Sequence, residues 1–494
     1  MRRGADNLGN VLVLGLGKSG RAAARYCAGL LGTRVDGVFV VDGVCTDETM
    51  AFLESIEQPG VGYAFGDDAL AGPGTAFDLC IASPGIPYWH DLYVAGEKLS
   101  RELISEIEFA WRESEADSTW VAITGTNGKT TTTSLAAHVL GECGFAARAV
   151  GNIGDVCIEA VVEGQTDVYV AEVSSYQLYS TRDFAPDVSV LLNITPDHLH
   201  WHKTLEAYRD AKFNILRAKK MGVDGGVPSQ IAILDATNDV VRAKVRELKA
   251  AGADYIPLGT AEGIGGDMRV RCGAENAAFI DGAGQLTVAW RGVEHDIANV
   301  SDLRIRGEHN ASNALAAAAV AVALGADDAS IARSLASFAP LEHRIEPCGS
   351  IAGIECFNDS KATNVDATVK ALDAFPGKRV AVLLGGDDKG TDLADLVAAV
   401  FANTRCAICF GAAGPRILAA LEAASGQAPD DFACILAPHM EDALDAALAR
   451  ADSIDVVLLS PACASFDEFR SFEHRGEVFK RLVAARAAQI GGKA

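Results

Sequence analysis

Short, unbroken apolar runs recur along this chain, each closed by a turn and most followed by a longer alanine-rich or amphipathic stretch. Val11–Leu14 opens the series, followed by the turn Gly15-Leu-Gly-Lys-Ser-Gly20 and the alanine-rich segment Arg21–Leu31. Apolar runs of about 4–8 residues without polar alternation suit strands buried on both faces, and the segments between them are long enough for crossover helices. The same pattern predicts strands at Val38–Val41, Leu79–Ser83, Trp120–Ile123, Val168–Val173, Val188–Leu192, Val380–Leu384, Cys406–Phe410 and Val456–Leu459. It predicts helices at Thr132–Leu140 and Glu308–Leu324, the second ended by Gly325. Alternation of this kind predicts an α/β protein built on parallel sheets. The runs fall into three blocks, 1–118, 119–340 and 341–494, in line with roughly 150 residues per domain. Residues from about 219 to 300 are rich in strand formers and glycine, and no chemistry is assigned to them. The last three strands are each expected to end in a glycine or serine turn, at Gly385-Gly386, Gly411 and Ser460.

Composition narrows the functional classes. Acidic residues number 66 against 43 basic ones, for a formal charge of −23. That field disfavours non-specific binding to nucleic acid or anionic membrane, so neither is an expected partner, and an anionic substrate must be met by local cations and backbone N–H groups. No segment reaches the roughly 20 apolar residues of a membrane span, and the polar stretch after Met-Arg-Arg lacks a secretory core. A cytoplasmic location is expected. The 12 cysteines show no framework spacing. Cys406 and Cys409 sit three apart in a predicted strand and therefore point to opposite faces, which argues for free thiols.

The richest chemistry lies at Thr124-Gly-Thr-Asn-Gly-Lys-Thr-Thr131, between a predicted strand and a predicted helix. A strand, a glycine turn and a helix start gather N–H donors and the positive end of a helix dipole around one point, which suits a polyphosphate. Lys129 adds a cation for the outer phosphates and the Thr130 hydroxyl can ligate magnesium, so ATP is the expected cofactor. Glu172 and His198 follow two further strands of the same block and, with Thr130, offer a sparse ligand set of the kind magnesium prefers. His198, His200 and His202 also allow a zinc reading, because alternate residues of an extended segment share a face. Lys212 reads as an ordinary surface lysine on a helix. In the third block Arg344 can pair with a phosphate or stack on a base, while Lys361 and Lys389 can neutralise carboxylates. The Gly15–Gly20 turn with Asp42 after the second strand also fits a dinucleotide fold, which leaves a nicotinamide-dependent oxidoreductase open. A non-catalytic nucleotide-binding regulator is a further reading.

The phosphate loop, together with Ser83-Pro-Gly-Ile86, Glu172-Val-Ser-Ser-Tyr-Gln-Leu178, Asn358-Asp-Ser-Lys-Ala-Thr-Asn364, Leu459-Ser-Pro-Ala-Cys-Ala-Ser-Phe-Asp-Glu-Phe469 and Phe472-Glu-His-Arg-Gly476, resembles the Mur ligase family. The resemblance is to the branch that joins D-glutamate to UDP-N-acetylmuramoyl-L-alanine, since the Asp-Asn-Pro-Arg signature of the diaminopimelate- or lysine-adding branch is absent. It implies a Rossmann-like N-terminal domain for the UDP-substrate, a central ATPase domain with a parallel sheet, and a Rossmann-like C-terminal domain that closes over the site. It implies that Gly125, Thr126, Asn127, Gly128, Lys129, Thr130 and Thr131 bind ATP, with Asn313, Arg344 and Asp359 against the nucleotide. Lys18, Ser19, Asp42, Gly85, Asn152 and His198 would hold the UDP-substrate, and Thr363, Lys389, Ser465 and Phe472 would receive D-glutamate. Two magnesium ions are implied, on Thr130, Glu172, His198 and Lys212, the last matching a lysine that the family carbamylates. His200 stands where the family usually has aspartate. The reaction implied is phosphorylation of a carboxylate by ATP followed by amide formation, in a monomer that supplies peptidoglycan precursors. A folylpolyglutamate synthase-type ligase is the alternative inside the superfamily, and the Gly15–Gly20 turn ahead of a whole N-terminal domain argues against it.

Overall fold

The computed structural model describes residues 2–71, 76–217, 230–259, 276–388 and 390–491. The apolar runs form strands in three sheets. The first contains β1 Gly9–Leu14, β2 Val35–Asp42, β3 Val61–Phe65, β4 Leu79–Ala82 and β5 Leu103–Ser105, in the order β3-β2-β1-β4-β5. All its pairs are parallel. Parallel order with the switch at β1 places the loops after β1, β2 and β4 on one edge, where such sheets bind ligands.

The second sheet contains β6 Thr119–Thr124, β7 Ala147–Gly151, β8 Val168–Glu172, β9 Val188–Leu191, β10 Ile231–Asp235, β11 Asp254–Leu258, β12 Ala277–Ile280, β13 Gln285–Trp290 and β14 Val293–Asn299. Their order is β14-β13-β12-β11-β10-β9-β6-β8-β7. The stretch that carried no legible chemistry therefore extends this sheet: β10 and β11 continue it in parallel, and β12, β13 and β14 finish it as an antiparallel meander. Trp120 on β6 is fully buried, stacked on Tyr169 at 4.8 Å and edge-on to Phe184 at 6.2 Å, with its indole N–H donated to Ser114 Oγ at 3.0 Å. Burying such a ring contributes on the order of 2–3 kcal/mol, and the satisfied N–H avoids a desolvation penalty.

The third sheet contains β15 Glu346–Ile351, β16 Ile354–Asn358, β17 Val380–Gly385, β18 Thr404–Phe410, β19 Ala433–Leu436 and β20 Val456–Ala462, in the order β15-β16-β20-β17-β18-β19. β15 and β16 form an antiparallel hairpin, and the remaining pairs are parallel. Ser460 is not the turn expected of it. β20 runs on through Ser460 and Pro461 to Ala462, because the register between β17 and β20 shifts between Leu383 and Gly385 and the proline falls at that irregularity. Cys406 and Cys409 on β18 lie in separate apolar clusters on the two faces of this sheet, as strand alternation requires. The cysteines are free among the described residues.

The chain divides into two compact units, Met1–Asp302 with Ser312–Ala336, and Leu303–Ala311 with Ser337–Ala494. The first two sheets lie in the first unit and the third sheet in the second. The five tryptophans, at 89, 111, 120, 201 and 290, all fall in the first unit. No described helix is long and apolar enough to cross a membrane.

Candidate active site

Four neighbouring strands of the second sheet, β9, β6, β8 and β7, deliver their carboxyl ends to one edge. After β6 comes the phosphate loop, and the helix Lys129–Glu142 starts directly from it. Gly128 adopts φ 84°, and a Cβ there would stand 2.6 Å from Asn313 Oδ1. Glycine is thus required twice, for the left-handed backbone and for the approach of Asn313. Asn313 also accepts from Thr132 Oγ1 at 3.1 Å, so this distant residue lies against the loop. Thr131 is buried behind it. Asn193, after β9, clamps the loop: its carbonyl oxygen accepts from Thr126 N at 2.7 Å, and its side chain exchanges bonds with Asn127 N and O at 2.9 and 3.1 Å. Lys129 Nζ donates to Gly125 O at 2.9 Å and Thr126 O at 2.8 Å.

Glu172 ends β8 and is sealed from solvent. Its Oε1 accepts from Asn152 Nδ2 at 2.8 Å, while its Oε2 is buried and, among the described residues, has no hydrogen-bond partner. Asn152 follows β7, so these two anticipated residues meet across adjacent strands. Lys212 departs from its surface reading. On the helix Leu205–Phe213 it is 1% exposed and donates to Gly125 O at 2.8 Å and Thr124 Oγ1 at 3.3 Å. Burial and then the charge of Lys129 hold its amine well below the usual lysine range, against the pull of Asp197 and Glu172. Lys129, Glu172 and Lys212 thus share one electrostatic neighbourhood.

The histidine segment is not extended. His198 takes φ 55° and Leu199–His202 closes a short helix, so the three rings do not share a strand face and the zinc reading loses its geometry. His200 is exposed, and His202 is buried with Nε2 2.9 Å from Ser175 Oγ. Burial, then the charges of His198, Lys212 and His200, pushes the His202 pKa down to about 4. His198 lies 3.6 Å from Asp197 Oδ2, 5.0 Å centroid-to-centroid from Tyr176 and 6.2 Å from Tyr208. Tyr208 joins the parts: its hydroxyl is 2.9 Å from Thr126 Oγ1 and its ring lies 4.7 Å from Lys212 Nζ. Sequence reasoning missed Tyr208 and Asn193. The run containing Asn193 stood out only for its histidines, and a tyrosine four residues before a lysine on a helix signals an interior face at most.

On the first sheet, Asp42 Oδ2 accepts from Leu16 N at 2.5 Å, which draws the end of β2 onto the glycine turn after β1. A Cβ on Gly20 would come within 1.8 Å of the Gly15 carbonyl, so that glycine serves helix–turn packing. Lys18 and Gly85 are exposed and Ser19 half-buried, at the carboxyl edge of the same sheet.

In the second unit, β16, β20 and β17 are neighbours and bring Asp359, Ser465 and Gly386 to one edge. Asp359 is buried, with Oδ2 accepting from Ser460 Oγ at 2.7 Å and Oδ1 from Ile345 N at 3.2 Å. Burial pushes its pKa up to about 7, although those bonds and Arg344 pull the other way. Lys361 Nζ stands 3.7 Å over the Phe472 ring, and the Phe472 carbonyl accepts from Ser360 Oγ at 2.8 Å. Thr363 is half-buried and Ser465 is buried. Lys389 lies outside the described residues.

The description "Mur ligase middle domain" matches residues 123–321, and "Mur ligase, glutamate ligase domain" matches 343–463. A protein of Thermoanaerobacter sp. (strain X514) named UDP-N-acetylmuramoylalanine–D-glutamate ligase is 36% identical, over 96% of this chain and 98% of its own. This chain belongs to the Mur ligase family. A like-named relative from Salinibacter ruber is 37% identical, over 95% of this chain and 96% of its own. Among Mur ligases of known structure, the UDP-N-acetylmuramate-alanine ligase of Thermotoga maritima shares the fold, with a TM-score of 0.53 at 18% identity, covering 97% of this chain and 99% of that one. As a Mur ligase the chain is an ATP-dependent enzyme acting on small molecules, and the dinucleotide-oxidoreductase reading of its glycine turn falls away.

Proposed function

We propose that this Mur ligase joins D-glutamate to UDP-N-acetylmuramoyl-L-alanine at the expense of ATP, through an acyl phosphate, in peptidoglycan precursor synthesis. The observation that carries the reading is what stands beside the phosphate loop: Glu172 with one carboxylate oxygen buried and unpartnered among the described residues, and Lys212 held toward the neutral amine. An orphaned buried acceptor costs on the order of 1–3 kcal/mol, which a bound cation relieves. Glu172, Thr130 and His198 are the residues that would hold magnesium, with Lys212 supporting a second ion. A neutral, enclosed amine is the form that adds carbon dioxide: its nitrogen bonds the carbon, a proton leaves, and the lysine becomes an anionic carbamate. Magnesium, when bound, polarises the phosphoryl oxygens and screens the two anions that must approach each other.

The chain's own residues supply the rest. Lys129 and the first N–H groups of the helix Lys129–Glu142 face charge that develops on the transferred phosphoryl group. A carboxylate oxygen of the acceptor attacks the γ-phosphorus and ADP leaves; the D-glutamate amine then attacks the acyl carbon, the C–O bond breaks, and phosphate and a proton depart. Asn313, Arg344 and Asp359 take the nucleotide, Lys18, Ser19, Asp42, Gly85 and Asn152 the UDP-substrate, and Thr363, Lys389, Ser465 and Phe472 the D-glutamate. The corresponding domains are 1–118, 119–340 and 341–494. The free thiols favour a reducing compartment, and we assign the enzyme to the cytoplasm as a monomer. The names of relatives similar over nearly their whole length favour D-glutamate addition over folylpolyglutamate synthesis. Phosphate release from UDP-N-acetylmuramoyl-L-alanine, ATP and magnesium, followed with a panel of amino acids, is the test. Release with D-glutamate alone is expected, and release with another amino acid in its place would refute the assignment.

A further inference from the structure

Arg475, four residues into the helix Phe472–Gly491, is fully buried. A guanidinium taken out of water is ordinarily paired with a carboxylate. This one is not: among the described residues its partners are Ser360 Oγ at 2.9 Å, Ser360 O at 2.8 Å, Ala464 O at 3.0 Å and Cys463 O at 3.1 Å. All four acceptors are neutral. Desolvation lowers its pKa to about 10, so the side chain is still charged at neutral pH. Asp467, Asp359 and Glu468 act on it only from a distance, and Asp359 is itself held part-protonated by burial. The interior of this unit thus holds a positive charge that no described carboxylate meets directly.

The acceptors are not scattered. Ser360 belongs to Asn358–Asn364, which carries Lys361 and Thr363, and Cys463 and Ala464 lead into Ser465. A trans peptide is planar, with its C=O and the next N–H pointing opposite ways. With the Ala464 carbonyl accepting from Arg475 at 3.0 Å and from Asp387 N at 2.9 Å, the N–H of Ser465 is turned away from both. Ser465 is buried, yet among the described residues its N–H finds no acceptor. Buried backbone donors are nearly always paired, so an orphan aimed away from a cation is a place kept for an anion.

We infer that Arg475 is the positioning and charge-selecting residue of the amino-acid site, fixing the 463–465 segment so that Ser465 N–H meets a carboxylate and favouring an acidic amino acid over its neutral isostere. The inference rests on the proposed D-glutamate site. It adds a residue that touches no substrate and acts through the peptide it holds and the charge it carries. A bound carboxylate completes both the hydrogen bond and the charge balance.

The test compares D-glutamate with D-glutamine by phosphate release in the full chain, with UDP-N-acetylmuramoyl-L-alanine and ATP saturating. Wild type is expected to prefer the acid. In Arg475→Met the ratio of kcat/KM values for acid over amide should fall about tenfold through KM for D-glutamate, with KM for ATP and for the UDP-substrate within about twofold. Arg475→Lys keeps the charge without the fork, so it should lose rate with both amino acids and keep most of the preference. Should the methionine variant not fold, Arg475→Gln carries the same expectation, since it keeps one donor for the loop carbonyls. Equal losses for acid and amide in the neutral variants would reduce Arg475 to a structural brace and overturn the inference alone. No release from wild type with D-glutamate would overturn the reading of the reaction, and the inference with it.

Discussion

Lys129 and Lys212 both donate to the Gly125 carbonyl, yet they are set for different work. Lys129 also holds Thr126 O at the mouth of the loop, so Lys129→Ala should lower kcat by about 10³-fold or more while leaving thermal stability nearly unchanged; turnover near wild type would remove the ATP assignment. Lys212 is the enclosed amine, and mass spectrometry in bicarbonate buffer should find the carbamate there, with Lys212→Met losing the adduct and most of the activity. Asp359 gives a pH signature. Its folded-state pKa of about 7 lies above the value of 3.8 for a free carboxyl, so the native state binds more protons between them and this group's contribution to stability falls as pH rises through that window. Asp359→Asn should therefore raise the melting temperature relative to wild type more at pH 8 than at pH 5; the reverse order would refute the burial argument. At this scale the sequence was legible where residue type announces chemistry, as with lysine in a glycine loop or glutamate at a strand end. It was silent where tertiary packing decides: Tyr208 beside Lys212, and Arg475 inside a familiar-looking motif; Lys212 itself was marked only by family resemblance, its helix spacing alone giving a surface lysine.

At the level of elements, each apolar run fell on a strand, six of them short by one to four residues because strand ends are polar and pair through backbone alone, and three of them, ending at Ser83, Val173 and Leu192, one residue too long. The failures have local causes. The histidine segment was read by alternation, but φ 55° at His198 starts a helical turn, and alternation cannot foresee a left-handed residue. Ser460 was expected to be the turn after Leu459, but the strand runs through it and Pro461 to Ala462 at an irregularity of register. Residues 276–299 lacked a legible role because an antiparallel meander that completes a sheet carries no chemistry of its own. The phosphate-loop turn yields a sharp expectation. Gly128→Ala would meet both the left-handed backbone and the Asn313 amide, so it should cost about 1–2 kcal/mol in stability and raise KM for ATP at least tenfold, measurable by denaturant titration and by initial rates. Unchanged KM would mean that Asn313 yields freely.

The whole molecule carries a charge of −23 on 494 residues, and such self-repulsion is screened by salt. Its melting temperature should rise on going from very low salt to about 0.2 M potassium chloride, and a flat profile would show that the acids are spread too widely to repel. Three blocks of alternating strands and helices were legible from sequence, and three sheets were found. The grouping of two of those sheets into one compact unit was not legible, because it depends on contacts between side chains far apart in the chain. The placement of the indoles has a practical consequence. With all five in the unit that holds the phosphate loop, tryptophan emission is an optical probe of that unit. Far-ultraviolet dichroism weighs the backbone of both units, so any divergence between the two melting curves would read out the tryptophan-free unit without a label.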